Sequence, residues 1–245
     1  MVDRDHPGLV IHPAAWTDVD GCAREPELAL RRNAEAVREL ADACAGAGTS
    51  LVLVSTNEVF DGERTDGGNY TEDDTTNPPN PYGASKLRGE ELAREAYRAA
   101  DLADQLWIVR TAWLYGPPGN DFPTKILAAA DRLPPGEPLK VVTDEVGSPT
   151  YTVDLAAAIL DLVASAPGGT YHLAAPGAAS RFDVAAEVMT RCRPALRLAP
   201  ISRREFVRAS SPPAWGALDS SRAASFGVTI RPWQEALRDY LSGLC

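Results

Sequence analysis

Leu51-Val52-Leu53-Val54-Ser55-Thr56 is an unbroken apolar run closed by two hydroxyl residues. A β-prone run without alternation suits a strand buried on both faces, as in a parallel sheet covered by helices on either side. Upstream, the Ala-, Leu-, Arg- and Glu-rich stretch from about Glu27 to Ala45 predicts a helix closed by Gly46 and Gly48, and before it Leu9-Val10-Ile11 predicts a short strand. Downstream, Asp61 to Pro81 is polar and rich in glycine and proline, a surface loop. A helix from Tyr82 to about Ala99 follows, then the strand Leu106-Trp107-Ile108-Val109. Strand, helix, strand, helix, strand is the rhythm of a parallel sheet with crossover helices.

Past Arg110-Thr111-Ala112-Trp113 the rhythm loosens. Helices are expected over Phe122–Leu133, Val153–Ser165 and Phe182–Arg191, and strands over Leu139–Val142 and Thr170–Leu173. The tail from Ile201 to Cys245 holds short helical pieces broken at Ser211-Pro212-Pro213 and Arg231-Pro232. The expected fold class is α/β: an incomplete Rossmann-like doubly wound parallel sheet with a smaller α+β C-terminal part. Residues 1–115 form the remnant of the nucleotide-binding sheet, to which a strand returns near 139–175, and residues 116–245 form most of the second, interleaved part.

Composition narrows the function. A chain of 245 residues can bury a full core, and its hydrophobic (44%) and charged (24%) fractions are those of an ordinary globular protein. A formal net charge of -10 argues against sequence-independent nucleic-acid binding, which needs a basic face. No apolar run approaches a membrane span, and Met1-Val2-Asp3-Arg4-Asp5-His6 lacks the apolar centre of a signal peptide. Cys22, Cys44, Cys192 and Cys245 are scattered, which predicts reduced thiols in a cytoplasm, and His6, His12 and His172 have no metal-ligand spacing. No metal site is expected.

The chemistry lies in Tyr82-Gly83-Ala84-Ser85-Lys86. Four residues along a helix bring the phenol and the ammonium to one face. A neighbouring positive charge favours phenolate, so the pair predicts a tyrosine of lowered pKa that can protonate the alkoxide formed when hydride adds to a ketone.

Five stretches then occur in a telling order: Ala14-Ala15-Trp16-Thr17-Asp18-Val19-Asp20, Ser55-Thr56-Asn57-Glu58-Val59-Phe60-Asp61-Gly62, Asn80-Pro81-Tyr82-Gly83-Ala84-Ser85-Lys86, Arg110-Thr111-Ala112-Trp113-Leu114-Tyr115-Gly116 and Gly147-Ser148-Pro149-Thr150. Together with Leu218-Asp219-Ser220-Ser221 before Phe226-Gly227, they resemble the extended short-chain dehydrogenases/reductases, most closely the dTDP-4-dehydrorhamnose reductases. The resemblance implies reduction of a 4-keto deoxysugar nucleotide by NADPH or NADH in the rhamnose-forming branch of sugar-nucleotide metabolism. By it Tyr82 is the general acid, Lys86 its partner and a contact of the nicotinamide ribose, and Thr56 a donor to the substrate carbonyl or alkoxide. Ala14, Ala15 and Trp16 line the cofactor, and Asn57 and Trp113 face the sugar nucleotide. Trp113 is as well explained as a core aromatic following a buried strand, whereas for Thr56 the match outweighs the alternative of a strand-end hydroxyl bonded to backbone.

The chain departs from that pattern twice. Asn57-Glu58 stands where the reductases carry Asp-Tyr and the related sugar-nucleotide dehydratases carry Asp-Glu; Asn57 cannot ionise, which disfavours a dehydratase or epimerase. The glycine-rich turn that holds a pyrophosphate at a helix N-terminus is absent as well. Gly46 and Gly48 precede a strand, and Gly116-Pro117-Pro118-Gly119 is a turn. By family comparison Leu9-Val10-Ile11 corresponds to the fourth strand, so roughly two βα units, on the order of 50–60 residues, are missing. With them goes the residue that chooses between NAD and NADP. A misassigned start or a partial gene is expected to account for this more simply than a designed loss. The expectation is then weak cofactor binding, impaired activity, and an edge strand at Leu9 open to association, a homodimer included. The rival reading is a non-catalytic protein on the same scaffold, as in the methionine adenosyltransferase regulatory β subunit. Retention of Tyr82, Lys86 and Thr56 weighs against it.

Overall fold

The computed structural model describes residues 2–206 and 208–245. Four parallel strands form its central sheet: β1 (Leu9–His12), β2 (Ser50–Thr56), β3 (Leu106–Thr111) and, after an intervening β4 (Leu139–Val142), β5 (Gly169–His172). Their order is β1-β2-β3-β5, with Val10 opposite Leu51, Leu53 opposite Ile108 and Arg110 opposite His172. β4 does not join this sheet; it pairs in parallel with β6 (Leu198–Ile201) in a separate two-stranded sheet.

The apolar run of β2 is buried on both sides for a simple reason. Alternate side chains leave opposite faces of a strand. Leu51 and Leu53, with Ile108, pack on Val37, Ala41, Ala93 and Tyr97, whereas Val52 and Val54, with Trp107 and Val109, pack on Leu155, Ile159 and Leu162. The first face is covered by two helices. One, α1, is the continuous run of Pro26–Leu30, Arg31–Glu35 and Ala36–Gly46, whose middle segment is wound as a π-helix. The other is α2 (Pro81–Ala99). The second face is covered by a later helix, Thr152–Ser165. This is the doubly wound arrangement expected from the sequence.

A second core gathers Tyr115, Ile126, Leu139, Val184, Val188, Trp233 and Leu237 from the helices Phe122–Ala130, Arg181–Cys192 and Trp233–Ser242 and from β4. Packing of the last two helices brings Cys192 and Cys245 to a Cα–Cα distance of 5.3 Å, where they form a disulfide. The expectation of four unpaired thiols is therefore corrected: only Cys22 and Cys44 are free, both buried. Fifty-three residues separate the pair in sequence, and contact between the two helices is what joins them. Among the described residues, no helix is long and apolar enough to cross a membrane.

Candidate active site

The carboxyl end of β2 and the first turns of α2 meet to form the site. Asn80 starts the helix, its side-chain oxygen accepting the Gly83 N–H at 2.9 Å, and Pro81 supplies a first-turn residue that needs no donor. A side chain at position 83 would collide with the Glu58 carbonyl, so Gly83 is what lets α2 sit on the Asn57–Val59 turn. Tyr82 and Lys86 are thereby held in the seam at 8% and 3% exposure.

Within the seam, burial decides the electrostatics. Lys86 Nζ donates to the Val54 carbonyl at 2.8 Å. Desolvation lowers the Lys86 pKa to about 8, against an upward pull from Glu90. Tyr82 moves the opposite way to that expected from its spacing to Lys86. Burial, reinforced by the charge of Glu58, raises its phenol pKa, and the Thr56 hydroxyl opposes the rise only in part. The lowered tyrosine pKa is thus a correction, because the cost of a buried phenolate outweighs stabilisation by its neighbours.

Thr56 is 6% exposed and has two tasks. Its oxygen accepts the Glu58 N–H at 3.2 Å, which caps the Asn57–Val59 turn, and its hydroxyl lies against Tyr82. Asn57 donates from Nδ2 to the Gly216 carbonyl at 3.1 Å. Asn57 also lines a cleft of about 60 Å³ together with Glu58, Trp113, Glu145, Arg181 and Arg208.

Trp113 walls this cleft. Its backbone is left-handed (φ 46°), and its ring lies where a side chain on Gly147 would have to go. The Arg181 guanidinium carbon stacks 3.5 Å from the centre of the indole. Burial lowers Arg181 to about 10 while Glu145, 3.8 Å from its Nε, and Glu58 pull it back up. Glu58 itself is raised by burial, against the Asn80 amide that donates to it at 2.7 Å.

Ala14, Ala15 and Trp16 line a separate open groove of about 800 Å³ with His12, Arg31 and Arg32. Trp16 is fixed by a residue that sequence reasoning missed. The buried Asn33, in the π-helical turn of α1, accepts the Trp16 N–H at 2.7 Å and donates to the Trp16 carbonyl at 3.0 Å and to Ser85 Oγ at 3.1 Å. Ser85 in turn donates to the Tyr82 carbonyl at 2.8 Å. One amide therefore ties the groove wall to the tyrosine helix. Arg181, Arg208, Glu145 and Glu90 also escaped the sequence reading.

A doubly wound parallel sheet with a tyrosine and a lysine four residues apart, buried beside a strand-end threonine, defines the short-chain dehydrogenase/reductase class of fold and site. The chain belongs to the RmlD substrate binding domain family, which matches residues 1–245. It is 39% identical over 246 residues to a dTDP-4-dehydrorhamnose reductase of Mycobacterium tuberculosis, covering 97% of this chain and 77% of the relative. To the enzyme of that name from Streptomyces griseus it is 37% identical over 253 residues, covering 100% of this chain and 79% of the relative. The crystal structure of the Bacillus anthracis dTDP-4-dehydrorhamnose reductase in complex with NADP superposes with a TM-score of 0.89 at 33% identity, covering 99% of this chain and 83% of that one. The family is one of reductases.

Proposed function

We propose that the chain reduces the ketone of a 4-keto deoxysugar nucleotide, of the dTDP-4-dehydrorhamnose type, with NADPH or NADH as hydride donor. The observation that carries this reading is the convergence of Tyr82, Thr56 and Lys86 at the end of β2. A nicotinamide dinucleotide, when bound, supplies the hydride. The groove fits such a group on two counts: small Ala14 and Ala15 let a ligand approach the backbone, and Trp16 offers an aromatic face; Arg31 and Arg32 add cations to the lining, which Glu35 and Glu39 balance.

The protein's own residues do the rest. The Thr56 and Tyr82 hydroxyls donate to the carbonyl oxygen and stabilise charge as it develops there. Because burial raises the phenol, Tyr82 holds its proton at neutral pH, yet it remains a stronger acid than an aliphatic alcohol and gives that proton to the alkoxide. Lys86 contributes a positive charge to the seam. Arg181, stacked on Trp113 with Glu145 3.8 Å from its Nε, and Arg208, bonded to Asp20, are the cations that a diphosphate would meet in the cleft, beside the acids Glu58 and Glu145. Asn57, bonded to the Gly216 carbonyl and unable to ionise, supports reduction over dehydration.

Tyr82→Phe tests the assignment. With the keto sugar nucleotide as substrate and nicotinamide absorbance as readout, kcat should fall by about 10²–10⁴-fold. Cofactor affinity by fluorescence titration should stay as in the wild type. Undiminished turnover would remove Tyr82 from the role of acid.

A further inference from the structure

Tyr82, Lys86 and Glu90 succeed one another at intervals of four on the buried face of α2, and consecutive residues of β2 receive them. Lys86 meets the Val54 carbonyl, and Glu90 Oε1 accepts the Ser55 hydroxyl at 2.6 Å. Glu90 has no exposed surface. Arg110, from β3, donates to both of its oxygens, from Nε at 3.0 Å and from Nη2 at 2.8 Å, and Arg94 adds a contact at 3.0 Å. A buried ionic cluster of this kind is seldom more stable than apolar side chains of equal volume. Stability alone gives a poor reason for its presence one turn from the lysine of the site.

We propose that Glu90 is a positioning residue for the reaction, the fixed counter-charge that keeps Lys86 an ammonium inside the dry seam between α2 and β2. The proposal rests on the reading above for what Lys86 does in turnover, but the charge of Lys86 is measurable without turnover.

The surroundings of Lys86 support it. On its own helix it faces Glu90 and the neutral phenol of Tyr82. From β2 it meets the Val54 carbonyl. From β1 it meets His12, which burial and the charge of Lys86 together hold below the usual histidine value. Arg110 and Arg94 lie behind Glu90. Glu90 is the anion of this set. Burial tends to raise its pKa, but the bonds from Arg110, the charge of Arg94 and the Ser55 hydroxyl outweigh this and keep it ionised. Lys86 is already lowered to about 8 with Glu90 in place. Take the carboxylate away, leave both arginines, and the charges named around Lys86 are all cationic.

Lys86, Lys125 and Lys140 are the lysines of the chain, and the last two are exposed, so labelling with [13Cε]lysine gives a resolvable titration; Lys86→Met assigns the signal. The wild-type midpoint for Lys86 is expected near 8. Glu90→Gln should lower it by about one unit or more. Ser55→Ala, which removes a hydrogen bond from Glu90 but not its charge, should leave it nearly in place. If Glu90→Gln does not fold, Arg94→Gln decides: loss of a partly exposed cation should move the midpoint upward. A folded Glu90→Gln protein with an unmoved midpoint overturns the proposal, as does an Arg94→Gln midpoint that stays or falls. The alkaline limb of kcat/KM should follow the same shifts. If the NMR midpoint moves and the limb does not, Glu90 remains the counter-charge of Lys86, and it is the catalytic role of Lys86 in the reading above that fails.

Discussion

Replacing Lys86 by methionine should make this protein more stable at neutral pH while abolishing turnover. Lys86 is 3% exposed, and its pKa falls from 10.5 to about 8 on folding. A drop of about 2.5 units, at 1.36 kcal/mol per unit, means that the buried ammonium costs the fold about 3 kcal/mol. The sign follows from proton counting. Between pH 8 and 10.5 the unfolded chain binds more protons at this position than the folded one, so wild-type stability from this group rises with pH across that window. Below pH 8 the cost is present in full; above 10.5 it is gone. Methionine fills a similar volume without charge but forfeits the bond to the Val54 carbonyl, worth about 1 kcal/mol. At pH 7 the variant should therefore gain about 2 kcal/mol, or about 4–8 °C in Tm for a chain of this size. Above pH 10.5 it should be the less stable of the two by about 1 kcal/mol. Urea unfolding followed by tryptophan fluorescence from pH 7 to 11, with both proteins in the same buffers, measures the difference directly, since other titrating groups cancel. A difference that does not change with pH would refute the reasoning, because it would mean that Lys86 titrates alike in the folded and unfolded chain.

Two further outcomes follow from contacts outside the tyrosine seam. Asn33→Ala removes the acceptor of the Trp16 N–H and leaves its carbonyl only the weak Cys22 thiol donor; unfolding free energy should fall by about 2–3 kcal/mol, and nicotinamide affinity should weaken with it, read by urea titration and cofactor fluorescence. An undisturbed cofactor affinity would mean that Asn33 braces the fold without shaping the groove. The Cys192–Cys245 bond closes a loop of 53 residues, for which chain entropy gives about 4 kcal/mol. Cys245→Ser should lower the Tm and make it insensitive to dithiothreitol, whereas the wild-type Tm should drop on reduction; equal Tm values with and without reductant would argue that the bond contributes nothing.

What the sequence made legible were features that sit close together along the chain. Leu51–Val54 announces a doubly covered strand because both of its faces are apolar, and Asn80-Pro81 announces the start of α2 because a cap and a first-turn proline are local chemistry. Spacing alone put Tyr82 and Lys86 on one face. It carried no account of desolvation, and that is why it gave the wrong direction for the phenol. Features that depend on distant segments stayed hidden. Arg181 begins a helix 68 residues after Trp113 and still stacks on its ring; Asn33 reaches across 52 residues to Ser85; Cys192 finds Cys245 only through the packing of two helices. Glu90 was invisible for another reason: a glutamate in a helix rich in Arg and Glu looks like one more solvated charge until the strand beneath it is known.

The two shifts in the seam point in one direction. Burial raises Tyr82 and lowers Lys86, and both moves disfavour charge in a dry site. On the proposed reading, the resting site holds a neutral phenol and a lysine poised to lose its charge, with Glu90 resisting that loss. Donation of the phenolic proton to the product alkoxide creates an anion next to the ammonium. In a medium of low dielectric that attraction is far larger than in water, so the ion pair stabilises the state after proton transfer more than the state before it. The lysine thus acts less by presetting the acidity of the resting phenol than by favouring the phenolate once it forms. A Glu90→Gln site with Lys86 neutral lacks this gain, so its turnover should become limited by proton transfer, with a solvent deuterium isotope effect on kcat larger than in the wild type. An unchanged isotope effect in a variant whose Lys86 is demonstrably neutral would place the rate-limiting step elsewhere and remove this role from the lysine.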